Sequence, residues 1–130
     1  MGGAAEGRGG SRRKRRRLSR SGDFDRVYRD GRSHANRFLV VYSFPRAGDD
    51  EPRLGISVGR KVGGAVARNQ VKRMLRDAFW ACGEILPDGH DFVIVARPEM
   101  AGVADERGAA GVEEELRSVL ASAGIGEAGK

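Results

Sequence analysis

Basic side chains are concentrated in one stretch of the sequence, residues 53–79. This stretch contains seven Arg or Lys residues and a single acid, Asp77. Side chains at this density can neutralise several phosphates, whereas an ordinary solvated surface mixes signs so that ion pairs form. The stretch therefore predicts a binding surface for a polyanion rather than a site of bond chemistry. The seven residues are Arg53, Arg60, Lys61, Arg68, Lys72, Arg73 and Arg76.

The residue types that usually perform bond chemistry are few and scattered. His34 and His90 are the two histidines and Cys82 is the one cysteine, so the sequence offers no zinc-type spacing and no internal disulfide. These residues and the scattered acids also form no convincing Ser/His/Asp set, Cys/His pair or metal-binding carboxylate cluster. We therefore predict neither a catalytic side chain nor a metal ligand in this chain.

The charge is unevenly distributed along the 130 residues, whose formal net charge is +6. Residues 1–98 hold 21 Lys or Arg against 11 Asp or Glu, whereas residues 99–130 hold 3 against 7. This basic character favours nucleic acid as the partner, with an anionic membrane surface or an acidic protein as alternatives. No apolar run approaches the roughly 20 residues of a membrane span, and the N-terminus lacks the apolar segment of a signal peptide, so a cytoplasmic protein is expected.

The chain length allows one domain with one modest core. Residues 1–16 combine small and basic residues without apolar periodicity, which predicts a disordered basic arm, interpreted as a phosphate clamp or a nuclear-import signal. Residues 126–130 are expected to form a flexible tail. The first predicted element is a short helix capped by Ser21 or Asp23, which runs to about Asp30 and is ended by Gly31. A strand over 37–44, a polar hairpin loop over 45–52, a strand over 53–59, a central helix and a strand over 91–96 follow. The last predicted element is a helix near 112–123 with the apolar stripe Val112, Leu116, Val119 and Leu120.

The central helix is amphipathic in two senses. At about 100° per residue, its apolar side chains share an arc of roughly 100° and its basic side chains share a separate arc of roughly 140°. Gly63 and Gly64 precede the helix; they either let amides approach a phosphate or simply form a tight connection. The predicted buried stripe is Ala67, Val71, Met74, Leu75, Ala78 and Cys82, and the predicted anion-binding arc is Arg68, Asn69, Lys72, Arg73 and Arg76.

Strand 53–59 and three aromatic residues predict a second surface. Leu54, Ile56 and Val58 alternate with Arg53, Gly55, Ser57 and Gly59, so the first set faces the core and the second leaves room against the sheet or is simply exposed. Phe24 and Tyr28 share a helical face, and Tyr42 shares a strand face with Phe38, Val40 and Phe44. Exposed rings of this kind suit stacking of single-stranded bases, although each ring taken alone is more often part of a core, Phe24 more so than the tyrosines.

Four segments together resemble a known family. RLSRSGDFDRVYRDGRS (17–33), RFLVVY, RLGISVGRKVGGAVARNQVKRMLRDAF and DFVIVARP are similar to the bacterial ribonuclease P protein subunit, the basic partner of an RNA enzyme that trims 5′ leaders from precursor tRNA. The resemblance covers residues 17–125. It implies an α/β (α+β) two-layer sandwich like the second domain of ribosomal protein S5, with a left-handed βαβ crossover, which is contrary to the general right-handed rule.

The resemblance also implies functional positions. The Arg-Asn-Arg signature of the family corresponds to Arg68, Asn69 and Gln70, so the third position lacks its charge here. The RNA-subunit-binding residues implied are Arg60, Lys61, Arg68, Asn69, Lys72, Arg73 and Arg76. The leader-binding residues implied are Phe24, Tyr28, Tyr42, Arg53 and Ser57.

The resemblance implies that hydrolysis depends on Mg²⁺ held by the RNA subunit, so no cofactor is expected on the protein itself. The implied partners are the ribonuclease P RNA subunit and precursor tRNA, with no DNA and no membrane. Two alternatives stay open from the residues alone. One is a ribosome-associated or general structured-RNA-binding protein without a leader cleft, and the other is a protein-only nuclease.

Overall fold

A five-stranded mixed sheet with the strand order β1-β4-β5-β3-β2 forms the centre of the protein. The structure, a computed structural model, describes residues 16–18, 20–46, 48 and 50–125. The strands are β1 (Arg16–Arg17), β2 (Arg32–Ala35), β3 (Leu39–Pro45), β4 (Arg53–Val58) and β5 (His90–Ala96). The helices are α1 (Ser21–Asp30), α2 (Ala65–Ala81) and α3 (Met100–Ser122).

The central strand β5 determines the topology. Asp91, Phe92, Val93 and Ile94 are all buried, because this strand is covered on both faces of the sheet. It pairs antiparallel with β3 and parallel with β4, so β4, α2 and β5 form a βαβ crossover between adjacent strands. The handedness of this crossover stays a prediction.

Two apolar clusters lie on opposite faces of the sheet. The larger cluster packs α2 and α3 on one face and forms the predicted two-layer sandwich, while the smaller one packs α1 on the other face through Leu18, Val27 and Val93. The predicted stripe of α3 is confirmed, because its four members are all buried. In α2, Val71, Leu75, Ala78 and the C-capping Cys82 are buried as predicted, whereas Ala67 and Met74 are half-buried; Phe79 and Trp80 are also buried.

The predicted hairpin over residues 45–52 is wrong. The strands β3 and β4 are not neighbours, because β5 lies between them and pairs with both. The connecting loop crosses the start of β5, where the Arg46 amide donates to the Gly89 carbonyl at 2.8 Å and the Gly89 amide donates to the Asp50 carbonyl at 2.7 Å. The polar sequence suggested a turn correctly, but local composition does not specify which strand lies beside which.

Three boundaries and one additional strand also differ from the predictions. The sequence assigns Arg16 to the disordered arm, whereas in the structure Arg16 belongs to β1 and pairs with Arg53 of β4. The rest of the predicted arm, residues 1–15, and the predicted tail, residues 126–130, lie outside the described residues. The strand predicted from residue 37 begins at Leu39, and Phe38 packs against the larger cluster rather than beside Tyr42. Strand β2 was not predicted, because its sequence is polar and mostly exposed. Helix α3 begins 12 residues before Val112 and is interrupted at Gly108, where φ is 65°.

A fully buried carboxylate connects the loop to the sheet. Asp91 has no exposed surface, and its Oδ1 accepts hydrogen bonds from Arg46 Nη1 and Arg53 Nε, both at 2.8 Å. Arg53 Nη2 donates to the other carboxylate oxygen at 2.7 Å. Arg46 also donates to the carbonyls of His90 and Glu51, both at 2.6 Å. The loop, β4 and β5 are therefore held together by one ion-pair network.

We expect Asp91→Asn to lower the free energy of unfolding by about 3 kcal/mol, because the two arginines would lose the charge that compensates their partial burial. Urea denaturation measures the loss. Asp105→Asn is the matched control, since Asp105 is exposed on α3 and its substitution should change the unfolding free energy by less than about 0.5 kcal/mol. Equal stability of the two variants would contradict the structural role of Asp91.

Candidate RNA-binding surfaces

One surface lies on the outward side of α2. Asn69, Arg73 and Arg76 are exposed, while Arg68 and Lys72 are half-buried beside the apolar stripe that contacts the sheet. Since α2 begins at Ala65 and Arg68 lies within its first turn, the basic arc runs along almost the whole helix. The five residues predicted to share this arc therefore lie on one face of a single rigid element.

Arg60 and Lys61 extend the surface beyond the helix. They lie in a 3₁₀ turn, Arg60–Val62, between β4 and α2, and both side chains are exposed. Gly63 follows with a φ of 155°, and a Cβ atom there would lie 2.9 Å from the Cβ of Ala67. The glycine therefore has a local structural role, which is to let the turn pass directly into the helix.

The six basic residues of this surface have no acidic partners. Within the described part of the chain, no ion pair forms at Arg60, Lys61, Arg68, Lys72, Arg73 or Arg76. In addition, Arg68 Nε is buried without a hydrogen-bond partner among the described residues. Buried donors are normally paired. An unneutralised cluster with an unpaired donor is suited to an anion that supplies many acceptor oxygens.

A second surface is aromatic and lies on the opposite face of the sheet. The Tyr28 and Tyr42 ring centroids are 5.0 Å apart in an edge-to-face arrangement, and those of Phe24 and Tyr28 are 6.3 Å apart. Tyr28 is 38% exposed, while Phe24 and Tyr42 are half-buried. Phe24 and Tyr42 therefore pack against the smaller apolar cluster, whereas Tyr28 presents its ring to solvent. The core and the base-stacking interpretations of the sequence thus apply to different rings.

Residues of β4 support the aromatic surface from below. The Phe24 ring lies directly on Gly55, where any side chain would collide with it. Burial raises the pKa of the Tyr28 hydroxyl above its ordinary value, although the neighbouring Ser57 side chain lowers it in part. The tyrosine therefore stays neutral at physiological pH. Phe24, Tyr28, Tyr42 and Ser57 are thus brought together as predicted.

Arg53 lies next to this surface but is occupied by acids. Besides its two hydrogen bonds to Asp91, its Nη1 lies 3.7 Å from Asp23 Oδ2 at the start of α1. The hydrogen bond to Asp91 is the main reason that the pKa of Arg53 is raised. Arg53 is therefore better placed to hold α1, β4 and β5 together than to bind a phosphate, which the sequence alone did not indicate.

Sequence reasoning missed Asp91 and Arg46 as partners of Arg53. A single acid at the start of an otherwise apolar strand is a detectable signal, because a buried carboxylate requires a cationic partner.

Within the described residues, no group of three or more His, Cys, Asp or Glu side chains is arranged to hold a metal ion. The same residues contain no helix that is both long and apolar enough to cross a membrane.

Comparisons with known proteins show the family of the chain. The family model of ribonuclease P matches residues 13–124. The ribonuclease P protein component of Geobacillus thermodenitrificans is 41% identical over 112 residues, which is 86% of this chain and 89% of the relative. The RNase P protein of Staphylococcus aureus superposes with a TM-score of 0.76 at 34% identity, covering 86% of this chain and 98% of that one.

A second solved structure gives the same result. The RNase P protein from Thermotoga maritima superposes with a TM-score of 0.71 at 34% identity, covering 83% of this chain and 96% of that one. The family model extends over the basic helix, the aromatic surface and α3. The four sequence segments that carry the resemblance end before α3. On this basis the chain belongs to the ribonuclease P protein family and is the protein component of an endoribonuclease holoenzyme.

Proposed function

We propose that this protein binds the catalytic RNA subunit of ribonuclease P through the basic surface and the 5′ leader of precursor tRNA through the aromatic surface. The observation that carries the proposal is that the two surfaces differ in chemistry and lie on opposite faces of one sheet. A cationic helix suits the phosphates of a folded RNA, whereas partly exposed rings suit unpaired bases. Membership of the family supports RNA as the partner of both.

Hydrolysis of the phosphodiester would depend on Mg²⁺ held by the RNA subunit. The protein contributes positive charge and a fixed position for the leader, so its side chains need not exchange protons with the substrate. We also propose that the protein acts in the cytoplasm, where precursor tRNA would be its substrate. A general RNA-binding protein without a processing role would have no reason to keep a leader surface, and the family comparisons do not favour it.

Reconstitution tests the overall proposal. We expect precursor tRNA to be cleaved at low Mg²⁺ only when the protein and the RNA subunit are both present, because the protein's cations supplement the neutralisation that Mg²⁺ provides alone at higher concentration. Gel analysis of the 5′ leader product measures cleavage. Cleavage by the protein alone would support a protein-only nuclease and contradict the proposal.

Removing two cations tests the basic surface. We expect Arg68→Ala with Lys72→Ala to weaken binding to the RNA subunit on the order of tenfold at about 0.15 M salt, and to reduce the slope of log affinity against log salt by about 1.5. Filter binding across a salt series measures both. The control is Arg32→Ala with Arg37→Ala, which removes the same charge at the opposite sheet edge. An unchanged slope in the first variant would contradict the assignment.

Removing a ring tests the aromatic surface. We expect Tyr28→Ala or Tyr42→Ala to reduce the preference of the holoenzyme for precursor over mature tRNA by roughly tenfold, since stacking on one base contributes about 1–3 kcal/mol. Tyr28→Phe keeps the ring and should keep the preference, which separates stacking by the ring from any contact made by the hydroxyl. Thermal denaturation checks that each variant is folded. A folded Tyr28→Ala variant with unchanged preference would assign the ring to the core alone.

A further inference from the structure

A basic cleft lies at the edge of the sheet beside β4, between the two surfaces already described. Its volume is about 290 Å³. The cleft is bounded by β1 and Leu18 directly after it, by β4, and by the inner flank of α2. Its lining includes Arg16, Arg17, Phe24, Ile56, Lys72 and Arg76.

The cleft exists because β1 covers only the beginning of β4. Strand β1 pairs with Arg53 and Leu54, and the last contact is the Leu18 amide donating to the Leu54 carbonyl at 2.9 Å. Backbone groups of alternate residues point to the same side of a strand, so the amide of Ile56 faces the same edge as the Leu54 carbonyl. No described strand lies beside it there. The open edge thus offers a backbone donor inside the cleft.

The charge of the cleft is positive. Arg16 and Arg17 contribute from β1, and Lys72 and Arg76 contribute from α2, with no acid among the lining residues. Glu51 lies 3.7 Å from Arg16, in a partly exposed pair, whereas Arg17 forms no ion pair within the described residues. Two cationic walls that face each other across an open strand edge favour an anion that is narrow enough to lie between them.

The floor of the cleft is apolar. Leu18, Leu54, Ile56 and Trp80 contribute to the lining, and so does Phe24, which also belongs to the aromatic surface. A ligand that fits both the walls and the floor carries phosphates and flat or apolar groups together, as a single-stranded nucleic acid does. Because Phe24 borders both sites, a strand that lies on the aromatic surface can continue around the sheet edge into the cleft.

We propose that this cleft is a second subsite for the precursor tRNA leader, which holds leader nucleotides further from the cleavage site than those on the aromatic surface. Arg17 of β1 binds a leader phosphate from one wall. Lys72 and Arg76, which lie at the border between the basic surface and the cleft, complete the other wall. The proposal rests on the proposed function, because it takes the leader to be the strand on Phe24, Tyr28 and Tyr42. It adds Arg16 and Arg17 to the leader-binding residues.

A series of leader lengths tests the subsite with the complete holoenzyme. Precursor tRNAs with leaders of 2, 5 and 10 nucleotides are compared for binding to the wild-type protein and to Arg17→Glu. The control is Arg32→Glu, an equally exposed arginine on the edge strand at the other side of the sheet. We expect Arg17→Glu to weaken binding of the longest leader about fivefold or more, because a phosphate contact becomes a repulsion. With the shortest leader, the Arg17→Glu and Arg32→Glu holoenzymes should bind precursor tRNA equally well and cleave it at the same rate.

The outcomes distinguish this subsite from the function on which it rests. If Arg17→Glu weakened binding of precursor tRNA equally at every leader length, Arg17 would contact the RNA subunit and not the leader. If it weakened binding at no length, Arg17 would have no ligand. Either result, with cleavage by the wild-type holoenzyme intact, overturns the subsite but not the proposed function. Failure of the wild-type holoenzyme to cleave any of the three substrates would instead overturn the proposed function.

A direct measurement uses the one tryptophan of the chain, Trp80, which lines the cleft. Titration of the protein with single-stranded hexauridylate, without the RNA subunit, should change the Trp80 emission in a saturable way. Arg17→Glu should raise the half-saturation concentration about fivefold or more, whereas Arg32→Glu should not. Unchanged emission, or equal titrations of the two variants, would overturn the proposal.

Discussion

The ion pairs between the buried Asp91 carboxylate and the side chains of Arg46 and Arg53 are the interaction on which the arrangement of the sheet and of both surfaces depends. Removing an ionised group from water costs several kcal/mol, and only well-oriented cations can offset this cost. Here Arg46 approaches from the loop and Arg53 from β4, so that three hydrogen bonds of 2.7–2.8 Å satisfy the carboxylate. Arg53 also reaches Asp23 at the start of α1. The orientation of the helix that carries Phe24 and Tyr28 is thereby connected to the central strand.

Separation of charge is the second constraint. On α3 the cations are neutralised within the protein, because Arg107 binds Glu114 and Glu115 and Arg117 binds Glu113. On α2 the described cations have no acidic partner, so their mutual repulsion opposes folding until an external anion is bound. The apolar stripe of α2 offsets this repulsion by burial against the sheet. The same helix thus supplies core on one side and an RNA-binding surface on the other, and the acidic character stays on α3.

The parts of the fold that follow from local periodicity could be predicted from the sequence. The stripe containing Val71 and Leu75 and the stripe containing Leu116 and Leu120 are both buried as their spacing indicates. Interactions between distant residues could not be predicted in this way. The loop over residues 45–52 was predicted to form a hairpin, but β5 lies between β3 and β4, so the loop connects strands that are not neighbours. The pairing of polar β2 with β3 depends on backbone hydrogen bonds, which no hydrophobic pattern indicates. The resemblance assigns Arg53 to the leader surface. Its buried partner Asp91 is 38 residues away, so the ion pair that occupies Arg53 is not visible in the local sequence.

The position of Gly55 shows how the two RNA-binding surfaces are kept adjacent. The Phe24 ring lies directly on Gly55, so α1 approaches β4 more closely than any other residue would permit. This close approach brings the aromatic surface to the sheet edge that α2 borders from the other face, and the cleft between them is lined from both sides. Electrostatic binding through α2 is insensitive to sequence, and base stacking tolerates every base. In the proposed function, selectivity for precursor tRNA therefore comes from geometry, because a substrate must present an unpaired 5′ strand to this edge of the sheet while the RNA subunit is bound.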